Sequence, residues 1–154
     1  MLAAQHIHPV LVHFPIVFMI TLAVFDLIAG LRGAEITGRT ASGNASAGLA
    51  LLAGLAAIVT FYFGGIALDI AEAGGFHSDI AEMHEGLGEF TAIAFAVWAA
   101  VRVVLWARDV RISKPLVLVV PLIEIAGAGL VIATAYFGGQ LVYDLGVNVA
   151  RMAG

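Results

Sequence analysis

Four apolar runs, at residues 10–31, 45–70, 84–107 and 116–137, decide what this chain can become. Each is long enough to cross a hydrocarbon core of about 30 Å as an α-helix, and a helix satisfies its own backbone in lipid. Of the 154 residues 62% are hydrophobic and 12% charged. The mean hydropathy is +1.04, outside the range of soluble domains. The sequence therefore predicts an all-α membrane protein. It is a single domain over 1–154, a four-transmembrane-helix bundle of two tandem helical hairpins with a short interfacial tail over 138–154. The first run is too long, and its flank too poor in basic residues, for a cleavable signal peptide, so it is expected to stay in the mature chain.

The polar residues that enter these runs carry the functional reading. His6-Ile7-His8-Pro9-Val10-Leu11-Val12-His13-Phe14-Pro15 stands at the mouth of the first run. An imidazole there needs a hydrogen bond or a metal that lipid does not supply. Pro15 withdraws the helical bond to the Leu11 carbonyl, which predicts a kink beside His13. Glu82-Met83-His84-Glu85-Gly86-Leu87-Gly88 opens the third run. Asp26 and Arg102 lie at matching depth near the other end of their runs and are expected to pair, and Glu124 stands inside the fourth. Cysteine is absent, which excludes disulfides, iron–sulfur clusters and thiolate ligands.

An internal repeat organises these features. His6 and His13 match His77 and His84 at an offset of 71, and Tyr62-Phe63-Gly64-Gly65 recurs as Tyr136-Phe137-Gly138-Gly139 at 74. Tandem hairpins of one orientation are related by an axis along the membrane normal, which gathers the histidines and both glycine motifs at one end. Arg32, Arg39, Arg102, Arg108, Arg111 and Lys114 belong to the other end, and only Arg151 accompanies the histidines. The positive-inside rule then predicts a multi-pass protein of a bacterial inner membrane with both termini periplasmic.

Two histidines at equivalent places on facing helices are the arrangement that grips a haem iron from both sides. The repeat selects His13 and His84 as axial ligands, with His8 and His77 as second choices. Gly64, Gly65, Gly86, Gly138, Gly139 and Tyr143 are expected to line the cofactor. The expectation is a cytochrome b-like haem b carrier, an electron-transfer protein or redox-complex subunit rather than a stand-alone enzyme. Bare copper or zinc at the same histidines is the alternative, and a structural subunit with no cofactor the third reading. Phosphate loops, a Ser/His/Asp pattern and a basic aromatic surface are missing, which sets aside nucleotide hydrolysis, acyl transfer and nucleic acid. The expected partners are lipid, a redox protein or larger respiratory or photosynthetic complex, and a second copy of the chain.

Two motifs carry a family resemblance: His8-Pro9-x-Leu11-Val12-His13-Phe14-Pro15-Ile16, and Gly138-Gly139-x-Leu141-Val142-Tyr143-x-x-Gly146-Val147-x-Val149. Through them the chain resembles the bacterial predicted-membrane-protein family known as domain of unknown function 2231. The resemblance implies four helices and a shared histidine-rich site retaining His8, His13 and His84. It also implies a tail with an acidic residue and a histidine where this chain has Gln140 and Leu145.

Overall fold

The computed structural model describes residues 4–149, without the side chains of Ala4, Lys114 and Pro115. Arg151, the basic residue expected beside the histidines, lies outside the described residues. A 3-10 turn, Ala4–His6, leads into α1 (Ile7–Leu11) and α2 (His13–Leu31), which form the first span. The second and third are α3 (Ala41–Ala73) and α4 (Asp79–Ala107), and α5 (Lys114–Val117) continues into α6 (Val119–Tyr143) as the fourth. All four spans are long and apolar enough to cross a membrane.

Proline sets both interruptions. Pro15 has no N–H for the Leu11 carbonyl and Pro121 none for Val117, so the helix breaks at Val12 and at Leu118. The Leu11 carbonyl released in this way accepts the Thr60 hydroxyl at 3.2 Å. The kink expected beside His13 is present, and the second chain element that seals it comes from α3.

The helices overrun the apolar runs because their ends answer to caps rather than to hydropathy. The Thr40 hydroxyl accepts from the Gly43 N–H at 3.0 Å and starts α3 at Ala41 rather than 45. The Ser78 hydroxyl accepts from the Ile80 N–H at 3.2 Å and starts α4 at Asp79 rather than 84. At the far end α6 runs through Gly138 and Gly139 to Tyr143, so the first residues of the expected tail are helical. Glycine is a poor helix former in water, yet lipid leaves the backbone no other partner and neighbouring helices welcome the missing side chain.

The spans close into a four-helix bundle in which α2 and α4 each pack between α3 and α6. Met19, Leu22, Phe95 and Val131 fill its middle against Ala50, Ala53, Ala57 and Ala92. The small residues let the backbones approach, which is the main source of packing energy where lipid is as apolar as the side chains. The outward face is a coat of Val, Ile, Leu and Phe in contact with lipid.

Candidate functional site

Two threonine carbonyls at one end of the bundle each hold a histidine. His8 on α1 places Nδ1 3.0 Å from the Thr60 carbonyl oxygen of α3, and His84 on α4 places Nδ1 3.0 Å from the Thr134 carbonyl oxygen of α6. A carbonyl only accepts, so both rings carry a hydrogen on Nδ1, and in the neutral imidazole Nε2 is then the unprotonated nitrogen. The two rings are half-buried, 6.1 Å apart between centres, with their planes at 74°.

The local sequence explains why a ring can reach a carbonyl inside a helix. That oxygen already faces the residue one turn on, and a side chain there would cover its second lone pair. One turn after Thr60 comes Gly64, and one turn after Thr134 comes Gly138. A Cβ at Gly64 would stand 3.0 Å from Cε1 of His8, and one at Gly138 would stand 2.9 Å from Cε1 of His84. The second is closer than side-chain carbons pack and the first is at the tight limit, so Thr-x-Tyr-Phe-Gly-Gly reads as a cradle for an imidazole.

This geometry corrects the register of the repeat. The equivalent of His84 is His8, at an offset of 76. The same offset pairs Leu11 with Leu87, Phe14 with Phe90, Pro15 with Thr91, Asp26 with Arg102 and Gly33 with Asp109. In the first half the Leu11 carbonyl is freed by Pro15. In the second, Thr91 stands in proline's place; its hydroxyl donates to the Leu87 carbonyl at 2.7 Å and meets the Thr134 hydroxyl at 2.9 Å.

His13 therefore does not face His84. It is exposed on the outside of α2, with Nδ1 3.3 Å from the Val10 carbonyl oxygen. His6 and His77 are exposed as well. Gly65 and Gly86 have open space where a side chain would be, and Gly139 meets only the ring of Tyr143, at 4.0 Å. Tyr143 is 88% exposed. Of the expected lining, only Gly64 and Gly138 touch a histidine.

The opposite end of the axis carries a buried polar cluster. Arg102 on α4 donates from Nη1 to Asp26 Oδ2 at 2.6 Å and, from the same nitrogen, to Glu124 Oε1 of α6. Its Nη2 donates to the Ile36 carbonyl at 2.8 Å. The Ser46 hydroxyl of α3 donates to Asp26, and the Trp98 indole donates to Glu124 Oε1 at 3.2 Å. The expected Asp26–Arg102 pair is thus present, and Glu124 joins it. In the connectors beyond, Asp109 takes a left-handed backbone with φ of 50° and accepts the Arg39 N–H at 2.7 Å. That bond, with Arg111 close by, holds its carboxyl below the usual carboxylate range.

The fold and the paired histidines define a multi-pass membrane bundle with imidazoles presented from two symmetry-matched helices. The chain belongs to the predicted membrane protein family DUF2231, which matches it over residues 4–151. No curated protein and no solved structure matches it.

Proposed function

We propose that the protein is an electron carrier or redox-complex subunit of a bacterial inner membrane, with His8 and His84 as the two ligands of one haem b iron. The observation that carries this reading is the pair of Nε2 atoms that have no partner among the described residues. Each ring is fixed through Nδ1 by a backbone carbonyl, the outer-shell bond that orients imidazole ligands in metal sites. A separation of 6.1 Å between ring centres accommodates one metal atom bonded at about 2.0 Å to a nitrogen of each ring. Gly64 and Gly138 supply backbone without side chains beside both ligands. Bound there, a haem would supply reversible one-electron exchange, and the residues of this chain would fix the ligands and exclude water.

A single copper ion is the second reading, favoured by how closely the Gly64 and Gly138 backbones approach the rings. Imidazole suits copper. Zinc fits less well, because it seeks four ligands and no third His, Asp or Glu joins the pair among the described residues.

The basic residues support an orientation with both termini and the histidines on the periplasmic side, where a soluble redox protein or a larger respiratory or photosynthetic complex would exchange electrons. Absorption spectra of the purified protein, oxidised and reduced, together with iron and copper analysis, test the proposal. A Soret band with iron in the ratio of one per chain is the expected result. Stoichiometric copper without that band transfers the site to the second reading, and the absence of both overturns the two together.

A further inference from the structure

The cluster at the arginine end holds two carboxyl groups against one guanidinium, all on the inside of the bundle. Asp26 is 0% exposed, and Arg102 and Glu124 are each 1% exposed. If both acids were ionised, an uncompensated negative charge would be enclosed by apolar helices, which is costly in any low-dielectric surrounding. Among the described residues no other charged side chain bonds to the cluster. α2 supplies Asp26, α3 the neutral Ser46, α4 Trp98 and Arg102, α6 Glu124, and the connector after α2 the Ile36 carbonyl. Glu35 in that connector is engaged by Thr37, whose hydroxyl donates to it at 2.7 Å.

The hydrogen bonds distinguish the two acids. Both oxygens of Asp26 are met by donors, Ser46 on Oδ1 and Arg102 on Oδ2, the provision a carboxylate requires. Glu124 receives two donors on Oε1 alone, from Arg102 and Trp98, and its Oε2 is buried with no partner among the described residues. A charged oxygen left in that state loses far more than a neutral hydroxyl does. Two acids converging on one nitrogen of Arg102 add like-charge repulsion, the circumstance in which carboxyl pairs retain a proton between them.

We propose that Glu124 is an intramembrane proton-binding site: its carboxyl is protonated on Oε2 while Asp26 is the ionised partner of Arg102, so the cluster as a whole is neutral. The inference is independent of what the histidines bind. It makes Glu124 a removable proton inside the membrane and gives Asp26 the role of fixed counter-ion.

Infrared spectroscopy of the full-length protein in lipid, at a pH where surface carboxyls are ionised, reads this directly. The expected result is a protonated-carboxyl stretching band that moves when glutamate is isotope-labelled and stays when aspartate is. The band should vanish in Glu124→Gln, a neutral isostere that keeps the Oε1 acceptor, with the melting temperature unchanged. It should vanish in Asp26→Asn too, because Glu124 must then ionise to serve Arg102. A wild-type spectrum with no such band, or a band that follows the aspartate label, overturns the proposal. The labelled wild-type measurement decides the matter even if a variant fails to fold.

Discussion

The two ends of the bundle use the same symmetry in opposite ways. At the histidine end the halves contribute like to like: His8 with His84, Thr60 with Thr134, Gly64 with Gly138. At the other end the equivalent positions are Asp26 and Arg102, which carry opposite charges and join at 2.6 Å across the bundle. Matched bases on an axis leave two Nε2 atoms with no partner among the described residues. Matched opposites consume each other and lock the halves together. On the proposed reading, one end receives a ligand and the other holds the register that sets its two histidines opposite each other.

Breaking the lock should have the largest effect. Arg102→Ala strands Asp26 beside Glu124 and is expected to cost about 3–5 kcal/mol, the range for a buried ion pair that loses one partner. Asp26→Asn should cost clearly less, because Glu124 remains to serve Arg102. Thermal or denaturant unfolding in detergent compares the two, and equal losses would remove Glu124 from the account.

The cradle gives an intermediate effect. Gly138→Ala places a methyl 2.9 Å from His84. It is expected to cost about 1–3 kcal/mol by overpacking and to weaken whatever the histidines hold. Gly65→Ala, into open space, should do neither. Ligand titration of both variants sharpens the distinction between a glycine that seats a ring and one that merely neighbours it.

The smallest effect is expected at Asp109, outside the spans. Its carboxyl is held below the unfolded value of about 3.9. Its contribution is therefore fully present above that pH and lost as pH falls through the lower folded value. Asn also tolerates the left-handed backbone, so Asp109→Asn should slightly flatten the acid side of the melting-temperature profile and leave neutral pH nearly unchanged. A steeper acid limb in the variant would contradict this.

Much of this architecture is legible in the sequence, because lipid enforces helices wherever twenty or so apolar residues run together. The depth match of Asp26 and Arg102 was also enough to pair them. The helix ends were not, since Thr40 and Ser78 cap beyond the apolar runs and hydropathy is blind to capping. The histidine register misled for a different reason. The seven-residue spacing shared by His6/His13 and His77/His84 suggests an offset of 71, whereas His-x-x-Leu-x-x-Phe at residues 8–14 and 84–90 gives 76. Only the second places each ring against its threonine. Thr60 and Thr134 were missed because their carbonyls, not their side chains, hold the rings; extending Tyr-Phe-Gly-Gly by two residues to Thr-x-Tyr-Phe-Gly-Gly would have found them.

The most direct test of the central claim is to compare the bound centre in His8→Ala and His13→Ala, side by side with wild type, by absorption spectroscopy and metal content after identical loading. The account predicts that His8→Ala loses the two-histidine signature and most of the bound metal, as His84→Ala does, while His13→Ala is indistinguishable from wild type. Retention of the centre in His8→Ala, with its loss in His13→Ala, would contradict it.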